Sequence, residues 1–566
     1  MYNKSGDVSV TVENGRINGR TQPYNNRSTE VEVYLGIPYA EPPVGALRFR
    51  RPLPARKWLQ PLDAYQWPAP CQQEPLALVY MQNPKPSEDC LYLNVFNAKS
   101  SFNNNNRKRA VMVWIHGGGF IMGSSSEDVY NPMLLATQGD VIVVTINYRL
   151  GLLGLINVGS DEAPGNMFIW DQIQALEWIQ KNIGHFGGDP NRVTVFGGSA
   201  GSISISALIL SPKSRHLFQN AIMMSGAATV YKSIAEPTDS IRYWLSQAKT
   251  LGCSSSSSDK LNQSRSKFTK QLVDCLRQVP ADKLAVHPST PFDSSGKLIP
   301  VAVKDGQLLT ASGLKMLEKG EHKQNFSLLI GNTGDEGSLL LALLVDPKTF
   351  NFFTPKKFTY SEAYDYLKQF SSRLSANRPI DGNKVSKLYF KGLSNKTSSD
   401  QLIRTIGQAF GDYVMTCPTT RFGKLLTKNN NTDVNVYQYY YNTKIVDPTK
   451  AGLLTKWLGS LCTKWMGACH STDVLPVFGQ PFLMAKKYAD REREISAEMM
   501  QIFTNFAKTG KPGFMDNQNW PKFYTSLDSS VIAPYYEFSN KPKRLTNYNK
   551  NLKNNYCNSL WNRYNN

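Results

Sequence analysis

Val193-Thr194-Val195-Phe196-Gly197-Gly198-Ser199-Ala200-Gly201-Ser202 is the stretch whose reading decides the fold. A β-branched run meets Gly-x-Ser-x-Gly, and Ser202–Leu210 after it can be helical. Strand, tight turn and helix in that order are what a nucleophile elbow requires. Small residues at 197 and 201 let strand and helix approach closely, which pushes the serine backbone into a strained turn and exposes its hydroxyl. The five-residue pattern alone is weak, and an ordinary turn would also satisfy it; the strand before it and the apolar segment after it raise its weight.

Working outward, Ala110–Ile115 and Val141–Ile146 are continuous apolar runs, as expected of strands buried on both faces. Val8–Val12 alternates as a strand, and further strands are read at Ala221–Met224, Leu328–Ile330 and Val434–Tyr441. A helix is read from Asp171 to Ile183, with Ile173, Leu176, Ile179 and Ile183 on one face, and Gly187-Gly188-Asp189-Pro190 breaks it. Near the end Ile495, Met499, Ile502, Phe503 and Phe506 line another helical face that Gly510 closes. Apolar strands alternating with amphipathic helices predict an α/β fold, a mostly parallel sheet covered on both faces. One domain over 1–566 is expected, with a mainly helical, cap-like insertion at about 345–430 and exposed polar loops at Asn103–Asn106 and Ser254–Ser258.

At 566 residues, 41% hydrophobic and 19% charged, the chain can bury a large core. No apolar run reaches the roughly 18–20 residues that cross a bilayer, so no transmembrane segment is read. The net charge of +20 raises a nucleic-acid reading, but the lysines and arginines are scattered, with short clusters only at Arg107-Lys108-Arg109 and Lys541–Arg544. A groove would gather them on one face with aromatic residues between. A solvated basic surface fits better, and no nucleic-acid partner is expected. Met1–Gly6 lacks the apolar core of a leader, which suits a cytosolic chain or a mature secreted one. Residues 561–566 carry no lipidation or glycolipid-anchor signal. Eight cysteines suggest disulfides without fixing their pairing, and none has Cys-x-x-Cys or His-rich spacing, so neither metal nor cofactor is expected.

A serine hydroxyl needs a base to take its proton, and the base needs an acid to orient it. In the order Ser, Asp/Glu, His, only His470 among the six histidines follows Ser199 with ample room for an acid between. It lies in the loop Met466-Gly467-Ala468-Cys469-His470-Ser471-Thr472-Asp473. Leu328–Gly337 offers two carboxylates past a strand, Asp335 and Glu336. Either could instead cap the next helix, and spacing does not choose between them. His116-Gly117-Gly118-Gly119 completes the set: bare amides can stabilise the oxyanion of acyl transfer, and losing one donor costs about 10²–10³ in rate.

At this point the chain resembles the type-B carboxylesterases, the family that includes the cholinesterases, in a non-cholinesterase form. Matching stretches include Tyr34–Ala40, Glu88–Asn94, Asn147-Tyr148-Arg149, Phe186–Pro190, the Ser199 elbow, Gly334–Gly337 and Phe506–Gly510. The resemblance implies an α/β-hydrolase fold with Ser199, Glu336 and His470 as a triad and Gly118, Gly119 and Ala200 as oxyanion donors. It implies disulfides Cys71–Cys90, Cys253–Cys275 and Cys417–Cys557, leaving Cys462 and Cys469 unassigned, and with them the secretory pathway. The sequons at Asn3, Asn26, Asn262, Asn325, Asn395 and Asn430 are about what chance provides in so Asn-rich a chain. The activity implied is hydrolysis of small-molecule carboxylic esters, xenobiotic or endogenous and hydrophobic. Gly198 stands where the family often has Glu, and Tyr80–Pro84 where cholinesterases place a tryptophan, both against acetylcholine. Phe168 replaces a usual Gly. The rival readings are a protein that acylates and stalls, sequestering its ester, and a binding or adhesion protein on the same scaffold. Adhesion relatives lack triad residues that are all present here. Oligomeric state is not legible.

Overall fold

The computed structural model describes residues 6–24, 29–74, 85–99, 108–230, 233–253, 265–287, 290, 292, 298–374, 378–428, 433–443, 462–485, 488–515, 518–528, 530–540 and 548–564. The polar loops at 103–106 and 254–258, the stretch Tyr80–Pro84, Lys541–Arg544 and the sequons at Asn3, Asn26, Asn262 and Asn430 lie outside them. Asn325 and Asn395 are exposed.

Among the described residues one sheet of thirteen strands carries the fold. Its strands are β1 Gly6–Val12, β2 Gly15–Tyr24, β3 Thr29–Pro38, β4 Tyr92–Lys99, β5 Arg109–Ile115, β6 Ile142–Ile146, β7 Gly188–Gly198, β8 Asn220–Met224, β9 Phe326–Thr333, β10 Val434–Asn442, β11 Pro534–Ser539 and β12 Tyr548–Lys550. They lie in the order β1-β2-β3-β4-β6-β5-β7-β8-β9-β10-β11-β12, and Leu62–Asp63 pairs with β2. From β6 through β11 every neighbouring pair is parallel, while both edges are antiparallel. The mostly parallel, helix-covered sheet expected from the apolar runs is therefore present.

The alternation of side chains explains why both faces of those strands are apolar. Val111, Val113, Ile115, Val193, Val195, Ala221 and Met223 pack to one side, with helices α1 (Met167–Asn182) and α2 (Ala200–Leu210). Met112, Trp114, Phe196, Ile222 and Met224 pack to the other, against the long C-terminal helix α8 (Asp490–Thr509). Between β9 and β10 run α3 (Glu336–Leu340), α4 (Tyr360–Arg373), α5 (Gly382–Tyr389), α6 (Ser399–Gly411) and α7 (Cys417–Lys428). Leu339, Leu367, Phe370, Ile406 and Phe410 build a separate apolar cluster there with Trp561.

Element ends differ from the reading in ways that have causes. Helix α1 starts four residues earlier than Asp171, because Met167, Phe168 and Ile169 are all buried; Phe168 packs edge-on against Phe120, 5.0 Å between ring centres. It gives way to a 3₁₀ turn at Ile183–Phe186, closed by Gly187 at φ 83°. Gly188 then already pairs with Arg109, so part of the supposed breaker belongs to β7, whose register is irregular up to Val193. Helix α8, Asp490–Thr509, buries the expected face and ends on Gly510 at φ 70°.

Candidate active site

Ser199 sits between β7 and α2 at φ 56°, ψ −119°, a conformation that costs a non-glycine residue on the order of 1–3 kcal/mol. Two contacts hold it: its N–H donates to Met224 O at 2.8 Å, and its carbonyl accepts from Ile203 N at 2.9 Å. Gly201 shows why the elbow is bare, since a Cβ there would stand 2.0 Å from Ile115 O. The helix begins at Ala200, directly after the serine, so the positive end of its dipole faces the site.

Gly118 adopts φ 107°, and a Cβ on it would lie 2.1 Å from Met122 O. Among the described residues, the amides of Gly118, Gly119 and Ala200 have no acceptor paired with them. The first N–H groups of a helix and of such a turn are natural anion donors. His116, next to this loop, is fully buried and stacked on Tyr148 at 4.3 Å between ring centres. Burial lowers its pKa to about 4, against the bond between Nδ1 and Gly117 O, so it is a neutral core residue at pH 7.

Glu336 is the first residue of α3, just beyond β9, and its carboxylate is fully engaged. Oε1 accepts from Ser225 Oγ at 2.6 Å, Thr333 N at 2.8 Å and Asn332 Nδ2 at 3.1 Å. Oε2 meets His470 Nδ1 at 2.5 Å. Burial alone would raise its pKa. The His470 ring and the donors Ser225 and Thr333 together hold it below the usual carboxylate range.

The two carboxylates left open by spacing take different jobs. Asp335 stands at the N-cap of α3, but its side chain makes no capping bond. Its N–H donates to Ala468 O at 2.8 Å, and its Oδ2 accepts from Ala468 N at 3.0 Å, while Gln408 donates to Oδ1 at 2.8 Å. Asp335 thus grips the loop that carries His470. Arg404 donates to Trp465 O and Lys464 O, and Ser338 to Met466 O, along the same loop.

Four disulfides pair all eight cysteines: Cys71–Cys90, Cys253–Cys275, Cys417–Cys557 and Cys462–Cys469. The fourth was unassigned from sequence. It closes a loop whose far end is the neighbour of His470, with Cα atoms 5.8 Å apart.

Ser199 and His470 line one cavity of about 100 Å³, with Gly117, Gly118, Gly119, Glu127, Trp114 and Tyr130 on one side and Leu339, Leu340, Leu343 and Leu344 on another. His470 Nε2 is buried and bonded to no described residue. Sequence reasoning missed Ser225, Asp473 and Glu127. Ser225 follows β8 at φ 61°, a strand-end position where such residues gather. Asp473 lies inside the quoted histidine loop. It accepts from Tyr439 Oη at 2.7 Å, and burial pushes its pKa up to about 6.

No helix among the described residues is long and apolar enough to cross a membrane, and none of their His, Cys, Asp and Glu side chains cluster as a metal site. A family model, the carboxylesterase family, matches residues 6–560. Acetylcholinesterase 1 of Caenorhabditis elegans is 33% identical over 517 residues, 87% of this chain and 78% of that protein. Its counterpart in Caenorhabditis briggsae is 32% identical over the same coverage, and the acetylcholinesterase of Leptinotarsa decemlineata is 32% identical over 91% of this chain and 80% of its own length. With its parallel sheet and strand–serine–helix elbow, the chain belongs to the carboxylesterase family, has the α/β-hydrolase fold, and is a serine-type carboxylic ester hydrolase acting on small-molecule esters.

Proposed function

We propose that Ser199 is the nucleophile, His470 its base, Glu336 the residue that orients and charges the imidazole, and Gly118, Gly119 and Ala200 the oxyanion donors. The observation that carries this reading is the 2.5 Å contact between Glu336 and His470, whose other nitrogen is bonded to no described residue and whose ring lines the same cavity as Ser199. His470 takes the Ser199 proton as the hydroxyl attacks the ester carbonyl. Negative charge on the carbonyl oxygen is met by the free amides, and the ionised Glu336 stabilises the imidazolium. His470 then protonates the departing alcohol, and water, activated by the same imidazole, releases the acid from the acyl-enzyme.

The substrates proposed are small hydrophobic esters, because four leucines form one wall of a modest cavity. Choline esters are the second reading, favoured by the acetylcholinesterase relatives. Gly198, in place of the family's glutamate beside the serine, weighs against them. The pairing of all eight cysteines supports an oxidising, secretory destination for the chain. Hydrolysis of a p-nitrophenyl ester tests the chemistry: Ser199→Ala should lose turnover by at least about 10⁴, and full retained activity would reject it. A burst of p-nitrophenol without turnover in the parent would instead make it a sequestering protein. Relative kcat/KM for an acyl-length series beside acetylcholine decides between the two substrate readings.

A further inference from the structure

The cavity holds one carboxylate that the proposed chemistry does not use. Glu127 lines it together with Ser199, Trp114, Tyr130 and Gly198. Its Oε1 accepts from Ser124 N at 3.1 Å, a bond within its own turn. Its Oε2 accepts from no described residue. Apart from His470, every other side chain on the cavity wall is apolar, aromatic, a serine or a glycine.

A carboxylate oxygen kept from bulk water and left without a donor is a poor tenant of an apolar pocket, unless a ligand supplies the missing hydrogen. A neutral ester gives it none. A protonated amine does, and adds opposite charge in a site where solvent screens little. Burial pushes the Glu127 carboxyl up to about 7, helped by the neighbouring Asp128, so a cation beside it would also favour its ionised form.

Resting on the Ser199 reading above, we propose that Glu127 is a subsite for an N–H-bearing ammonium group on the ester. Its Oε2 accepts that proton donor and thereby selects amine-bearing esters over their neutral isosteres. The N–H distinguishes this site from recognition of a quaternary ammonium, which has no proton to donate and would rely on the faces of Trp114 and Tyr130.

Two ester pairs separate the two possible positions of the amine. In the alcohol arm, 2-(dimethylamino)ethyl acetate is compared with 3-methylbutyl acetate. In the acyl arm, phenyl 3-(dimethylamino)propanoate is compared with phenyl 4-methylpentanoate. At pH 7.5 the parent should favour the protonated amine by roughly tenfold in kcat/KM in one arm, the scale of a charge-assisted hydrogen bond, and Glu127→Gln should bring that ratio to about one whatever the absolute rates. A ratio of one in both arms, a ratio unchanged by Glu127→Gln, or an equal gain for the trimethylammonium analogue would overturn the proposal. Calorimetry on Ser199→Ala keeps the outcome separate from catalysis. There 2-(dimethylamino)ethanol should bind more tightly than 3-methylbutan-1-ol, and the added Glu127→Gln change should erase the difference; equal binding overturns the subsite even if Ser199 is the nucleophile.

Discussion

Asp335 and Ala468 are joined twice, the Asp335 N–H donating to Ala468 O at 2.8 Å and the Ala468 N–H to Asp335 Oδ2 at 3.0 Å. The next residue along, Glu336, reaches His470 two residues beyond Ala468. A single dipeptide after β9 therefore fixes both the course of the loop and the direction of the ring on it.

Truncating Asp335 should separate these effects. Asp335→Ala leaves the buried Ala468 N–H without its acceptor, a cost of about 1–3 kcal/mol, and frees the loop. The expected outcome is a lower Tm and a kcat reduced tenfold or more, with KM changed less than twofold. Asp335→Asn, which keeps an acceptor for Ala468, should recover most of both in steady-state kinetics and thermal melts.

Ser225 donates the shortest of the three bonds to Glu336 Oε1. The His470 ring and that hydroxyl, with the Thr333 amide, counter the burial that would raise the Glu336 pKa. Ser225→Ala removes one lowering influence, so the pKa rises and the acid limb of kcat/KM moves to higher pH. A rate at pH 7.5 reduced about 3–10-fold, together with that shift, is expected from a pH–rate profile. An unmoved limb would remove Ser225 from the relay.

His116 makes a prediction about stability. Its folded-state pKa of about 4 lies below the ordinary 6.5, so between those values the unfolded chain binds a proton that the native chain refuses. Stability is then lost as pH falls through that window, by about 2 kcal/mol between pH 7 and pH 5. His116→Phe retains a ring against Tyr148 and does not titrate. Urea midpoints at the two pH values should therefore show a smaller drop than in the parent.

The disulfide Cys462–Cys469 closes a short loop against His470. Loop-closure entropy assigns such a cross-link about 2 kcal/mol. Replacing both cysteines by serine should lower the Tm by about 2 °C and kcat by more than the loss of folded protein accounts for. Active-site titration with a covalent phosphonate measures the difference.

The frame was legible where burial leaves a periodic trace. Ala110–Ile115 reads as apolar throughout because β5 is covered on both faces, and Ile495 to Phe506 reads as a stripe because α8 is covered on one. Gly-x-Ser-x-Gly was legible because Gly201 has no space for a Cβ beside Ile115. Asp335 and Glu336 could not be ranked by spacing, since adjacent side chains differ only in direction, and direction depends on Ala468 and His470 more than 130 residues away. Ser225 escaped for the same reason: what makes it part of the site is its contact with Glu336, 111 residues away. Glu127 follows three serines in sequence and carries no motif; only the folded cavity wall singles it out.

Leu339 and Leu340 belong to the helix that begins with Glu336, and Leu343 and Leu344 continue the same run of chain. The leucines of the cavity wall and the carboxylate bonded to His470 are thus carried on one continuous stretch of chain. Re-sizing the cavity by exchanging those leucines would lever the carboxylate away from its histidine.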